Sequence, residues 1–165
     1  GKVPAVEFVN HITEKIQSYP GVIGVHDLMI HDYGPGNLFA TVHVEFPAET
    51  PVIEAHEVMD EIERDFQEQE HMILTIHYDP IVEENAEVAE IRAFVSKAAK
   101  EFDERLSIHE VRLVPGNESS NVIFDCVKPA GFKSSDGEIS SYLQKRVAEW
   151  NPRYRCVIKV EQSYV

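Results

Sequence analysis

Residues 73–80 read Ile73-Leu74-Thr75-Ile76-His77-Tyr78-Asp79-Pro80, a β-branched run ending in a histidine and an aspartate two positions apart. Side chains at i and i+2 of a strand point to one face. Thr75, His77 and Asp79 therefore share one side, and Leu74, Ile76 and Tyr78 share the other. An imidazole and a carboxylate on one face of a strand end are half of a metal site. The upstream candidates for the other half are His26 in GVHDL, His43 in TVHVEF and His56 in EAHEVMD.

Composition limits what this quartet can mean. The chain has 165 residues, 43% of them hydrophobic and 27% charged, which is ordinary for a folded globular protein. A formal net charge of −14 argues against nucleic acid or anionic lipid as a partner. Cys126 and Cys156 lack CxxC spacing and read as reduced thiols packed as small hydrophobes. No apolar run reaches the roughly 20 residues of a membrane helix. The chain thus reads as soluble and as a piece cut from something larger.

Outward from residues 73–80, apolar spacing predicts the remaining elements. Pro4 suits a first helical turn, and Ala5, Val9, Ile12 and Ile16 recur at helical spacing until Tyr19-Pro20-Gly21. Val22 to Tyr33 and Leu38 to Phe46 read as strands around a Gly34-Pro35-Gly36-Asn37 turn. Thr50 is the expected cap of a helix opened by Pro51, with Val52, Ala55, Met59, Ile62 and Phe66 as its stripe. Met72 to Asp79 is then the third strand.

The second half repeats that order. Asn85 can cap a helix striped by Val88, Ile91 and Val95; Ile108–Val114 and Asn121–Val127 flank Pro115-Gly116-Asn117; Ser135 and Glu138 can form a capping box; Tyr154 to Glu161 is a final strand. IHEVRL corresponds to VHDLMI, and FDCVKP to VHVEFP. This is a duplication of about 80 residues, with Glu83-Glu84-Asn85 as the expected joint. The fold class is α+β: two tandem ferredoxin-like (metallochaperone-like) αββαβ units, residues 3–82 and 86–165, each with both helices on one face of three strands.

Pairing Tyr33 with Leu38 would set His26 opposite Glu45, on the face that carries His43. His26 would then share a face with Leu28 and Ile30, a conflict that a bulge near Gly24 could remove. His56 lies about 70° from the centre of its helix stripe by helical geometry. Four histidines and Asp79 at one corner suit zinc or a neighbouring metal, since imidazole nitrogen and carboxylate oxygen are its ligands. Five donors exceed one tetrahedral ion, so two ions bridged by Asp79 is the economical arrangement. His11, His31 and His71 read as solvated, and Glu57 to Glu70 as a solvated acidic face.

The string GVHDL, TVHVEF, EAHEVMDEIE and TIHYDP, over about Ala5 to Val82, resembles the cytoplasmic C-terminal domain of cation diffusion facilitator (cation efflux) transporters. The resemblance implies a dimerising, regulatory, divalent-metal-binding domain on the cytoplasmic side of a cell (inner) membrane protein. In that family a membrane domain exchanges metal for protons. The implied ligands are His26, His43, His56, His77 and Asp79. The implied metal is zinc, with manganese, iron, cobalt and nickel open, and the implied partners are a second copy and an attached transmembrane domain. In the second unit His109 replaces His26, Asp125 replaces His43, Glu161 falls near the His77 position and nothing replaces His56. That leaves a degenerate copy with a possible weak second site at His109, Asp125 and Glu161. The alternative is a free-standing metal buffer or ligand-sensing domain. An enzyme is not expected, because no nucleophile, base and oxyanion-donor set is present.

Overall fold

The computed structural model describes residues 5–163. Its elements run α1 (Val6–Gln17), β1 (Gly24–Asp32), β2 (Leu38–Pro47), α2 (Val52–Gln69), β3 (Met72–Ile81), α3 (Ala86–Phe102), β4 (Ser107–Val114), β5 (Ser120–Lys128), α4 (Asp136–Trp150) and β6 (Tyr154–Gln162). The expected helix start at Pro4 lies outside the described residues. The chain divides into two compact units between Pro80 and Ile81. Each is an αββαβ unit with a three-stranded sheet, ordered β1-β2-β3 in the first and β4-β5-β6 in the second. Both are α+β, as the duplicated pattern predicts.

Helix ends follow local chemistry. The Asn85 side chain accepts the Val88 N–H at 2.8 Å, and Ser135 and Glu138 form the reciprocal capping box. Thr50, by contrast, caps nothing. Its N–H is taken by the Pro47 carbonyl in the preceding turn, and α2 starts from Pro51 without a side-chain cap. A proline fixes φ near the helical value, so it can open the helix alone. His71, just beyond the C-cap Glu70 of α2, takes a left-handed backbone (φ 54°), which ends the helix and redirects the chain into β3.

In the first unit Ile12 and Ile16 of α1 and Ile62 and Phe66 of α2 pack on Val42, Val44 and Phe46 of β2. Those β2 residues alternate with Thr41, His43 and Glu45, so the helices cover one face and the histidine face lies away from them. The second unit buries Ile91, Val95, Leu143 and Val147 against Val122, Phe124 and Cys126 in the same way. Both cysteines are free, and burial pushes their thiols up to about 11 (Cys126) and about 12 (Cys156), which leaves them as packing groups.

A bulge in β1 resolves the phase conflict. The hairpin is one residue looser than expected, with Asp32 rather than Tyr33 opposite Leu38, and the register shifts again between His26 and Met29. Asp27 sits at the shift in a left-handed conformation (φ 51°). The extra residue inverts the alternation. Leu28 and Ile30 therefore pack on the core with Val25, while His26 faces away, directly opposite His43. The bulge lies at Asp27, not near Gly24.

The second unit has the same device. Its register shifts between His109 and Arg112, and Glu110 takes φ 58° there, with the Arg112 guanidinium donating to the Glu110 carbonyl at 2.8 Å. An L-residue in this conformation costs about 1–2 kcal/mol, against about 0.5–1 kcal/mol for the greater freedom of unfolded glycine. Glu110→Gly should therefore match or exceed wild-type stability by up to about 1 kcal/mol, whereas the β-branched Glu110→Val should lose about 1 kcal/mol or more. Urea midpoints check this; a Val variant as stable as the Gly variant would show that the bulge is not held in the folded state.

Candidate metal centre

Three elements build the site on the open face of the first sheet. β1 brings His26, β2 brings His43 and Glu45, and β3 brings His77 and Asp79. The three imidazoles form a ladder across the strands, with His26 to His43 and His43 to His77 each 4.8 Å between ring centroids and the rings within 19° of parallel. Asp79 lies beneath that ladder and is 6% exposed. It meets His26 Nε2 at 3.1 Å and His43 Nδ1 at 3.2 Å. A buried carboxylate requires partners, and here two imidazoles supply them.

His26 is held from both ends, because Glu45, 1% exposed, faces its Nδ1 at 2.9 Å. Burial acts to lower the pKa of this ring, but hydrogen bonds to Asp79 and Glu45, with their charges, outweigh it and raise the pKa to about 9. The ring is an imidazolium at neutral pH, one cation between two carboxylates. Glu45 needs room for this, and Gly24 opposite it provides that room: a Cβ there would stand 3.1 Å from the Glu45 carboxylate. A carboxylate between Val44 and Phe46 and a glycine across the ladder are the sequence signals for Glu45.

The bulge also adds a donor. Asp27 has a carboxylate oxygen that, with one nitrogen each of His26 and His43, makes a set of three ligand atoms within 4.8 Å of one another. The sequence places Asp27 among the carboxylates around the corner, with Asp32 and Glu45, rather than among the ligands.

His56 is placed elsewhere. It is 67% exposed on α2, with Nδ1 3.4 Å from Asp60 on the same helix. Among the described residues it makes no hydrogen bond, ion pair or ring contact with His26, His43, His77 or Asp79. The expected corner of four histidines is thus a ladder of three within one chain. Of the bystanders, His11 meets Glu70 at 3.1 Å and His31 stacks on Tyr33.

In the second unit His109 stands opposite Asp125, as expected, but β6 is shifted from the expected alignment. The register places Lys159 beside Asp125, where His77 lies beside His43, and Glu161 occupies the counterpart of Asp79 rather than of His77. His109 meets the Ser107 hydroxyl at 3.0 Å. No metal-competent group of three donors forms there among the described residues.

Imidazole and carboxylate donors without thiolate, two of the carboxylates buried, suit a borderline divalent cation such as zinc. Glu45 would then orient His26 from behind, as a carboxylate commonly does for a ligating imidazole.

Comparison with known proteins bears on the same stretch. Residues 4–81 match the family described as cation efflux protein, cytoplasmic domain. A cation-efflux pump FieF of Yersinia enterocolitica is 41% identical over 58 residues, 35% of this chain and 18% of that protein. Its counterpart in Salmonella newport is 36% identical over 70 residues, 42% of this chain and 23% of that protein. The chain therefore spans about a fifth of the length of the curated relatives it matches. A solved structure of a protein described as a candidate zinc transporter, CzrB, is 32% identical and overlaps 47% of this chain and 98% of its own, at a TM-score of 0.44. No helix among the described residues is long and apolar enough to cross a membrane.

Proposed function

The chain belongs to the cation efflux family through residues 4–81, a cytoplasmic-domain segment of these transporters, and from that premise we propose that residues 3–82 form a regulatory, divalent-metal-binding and dimerising domain. The transport itself, metal exchanged for protons, would be carried by a membrane domain outside this sequence. Residues 86–165 form a second, degenerate copy. The family is one of transporters rather than enzymes.

One observation carries the reading: buried Asp79 collects two imidazoles from two other strands on a sheet face that the unit's own helices leave uncovered. The proposed ligands are His26, His43, His77 and Asp79, with Asp27 as an added donor. The proposed metal is zinc, with manganese, iron, cobalt and nickel as competitors. His56 enters the set only through a second copy of the chain. In support, Val52 (69% exposed) and Ile53 (76%) lie one turn before it on the same side of α2, an apolar patch suited to a subunit contact.

The ligands come from separate strands that only the fold brings together, so metal should stabilise the fold. Zinc at about 100 times its dissociation constant should add roughly 2.7 kcal/mol, a rise of about 5–10 °C in melting temperature. No response to zinc, manganese, cobalt or nickel would end the reading. A regulatory role requires more, namely a tighter dimer or a smaller radius of gyration with zinc in sedimentation and small-angle scattering. Metal-dependent stability with neither change would favour a passive buffer instead.

A further inference from the structure

The second unit repeats the first down to its bulge, so its sheet face can be compared with the first position by position. His109 stands opposite Asp125 as His26 stands opposite His43. Lys159 takes the place of His77, and Glu161, two residues on and on the same face, takes that of Asp79. Glu110, at the bulge, is the counterpart of Asp27.

The difference between the two faces is one of charge. In the first unit Asp79 and Glu45 contact the His26 ring from two sides and Asp27 lies beside it, three carboxylates whose charge a divalent cation can neutralise. In the second unit the Lys159 ammonium lies 2.9 Å from Glu161. The half-buried Asp125 carboxyl is held above the ordinary carboxylate range, by burial first and by Glu161 and Glu110, against the downward pull of Arg112 and Lys159. Three carboxylates there, Asp125, Glu161 and Glu110, face two fixed cations, Arg112 and Lys159, one of them in the place of an imidazole. A divalent ion arriving over Asp125 would meet positive charge already in place.

We infer that Lys159 is a tethered cation: its ammonium stands in for metal over Asp125 and Glu161, so the second unit keeps one charge state at every metal concentration while the first responds. The substitution turns a duplicated sensor face into a constant one. Lys159 thereby decides which copy is metal-responsive, without any change of backbone. The inference takes the first unit's metal reading as its template, yet the two stand or fall on different variants.

The test uses the whole chain carrying Asp79→Ala, which silences the first face, with zinc followed by calorimetric titration and by melting temperature. Lys159 is 71% exposed, so its substitution leaves the core intact. In this background zinc should produce at most a small remnant of the wild-type melting shift. Lys159→Gln, which removes only the charge, should bind zinc at least tenfold more tightly than its parent. Lys159→His, which also supplies an imidazole beside Asp125, should bind more tightly still and restore a zinc-dependent rise in melting temperature. A rise for the His variant with Gln equal to the parent would assign the silence to a missing imidazole and overturn the tethered cation. Silence in both variants, or a zinc response in the Asp79→Ala parent that survives there and is lost with Asp125→Ala, would overturn it as well. Wild type without any zinc response would instead overturn the first unit's reading.

Discussion

Asp79→Ala should abolish most of the zinc-dependent rise in melting temperature and weaken zinc binding by more than about 100-fold, because loss of even an outer partner of a metal ligand costs 10–100-fold. The size of the effect follows from position. Asp79 contacts two imidazoles from two different strands, so it joins what β1 and β2 present separately. Without metal the same substitution removes hydrogen bonds to two imidazoles and costs about 1–2 kcal/mol. The quantity to compare is therefore the zinc-dependent increment, not the melting temperature itself. Asp125→Ala is the matched control. It removes a half-buried carboxylate at the corresponding sheet face of the other unit and should leave the increment nearly intact. Equal losses in the two variants would mean that the second unit shares the binding.

What could be read from residues 73–80 and what could not have separate physical causes. Strand parity is local, so the grouping of His77 with Asp79 on one face and of Leu74 with Ile76 on the other needs nothing beyond the period of a strand. The duplication was legible for the same reason, since each element carries its own apolar stripe. Registers are not local. The step of one residue at the hairpin and the bulge at Asp27 together move His26 from opposite Glu45 to opposite His43, and only the folded ladder records both. Aspartate tolerates the left-handed conformation better than most residues, a weak hint of the bulge. Glu110 is a poorer candidate, yet it adopts the same conformation. The place of Lys159 is hidden in the sequence for a related reason: a strand aligned one face position out makes Glu161 look like the partner of Asp125, and only the parallel register with β5 corrects it. His56 shows the opposite limit, since its sequence match is clear while its placement on the outer side of α2 depends on packing.

Zinc affinity should climb steeply between pH 6.5 and pH 9, a window higher than free imidazole alone would set. The cause is His26. Its pKa of about 9 means that at neutral pH a proton occupies the nitrogen facing Asp79, and a metal ion must displace it. With a pKa of about 9 the ring is half protonated at pH 9 and almost fully protonated at pH 6.5, so the competition at pH 6.5 weakens binding by roughly 150-fold relative to pH 9. Stability without metal must run the other way. A histidine whose pKa is raised in the folded state stabilises fully below its unfolded value, and that contribution is lost as pH rises through about 9. A shift of this size would be worth about 3 kcal/mol to a ring shielded from solvent, and partial solvent access reduces it to about 1–2 kcal/mol. The metal-free chain should therefore be most stable on the acid side of this window and zinc most effective on the alkaline side. The two trends cross because one nitrogen serves both cations. Calorimetric titration at pH 7.5 in buffers of different ionisation enthalpy should register close to one proton released from His26 per zinc bound. Glu45→Gln should lower the His26 pKa and shrink both the proton count and the pH dependence. Zinc affinity that is flat from pH 6.5 to 9, with no proton released, would show that His26 is not a ligand.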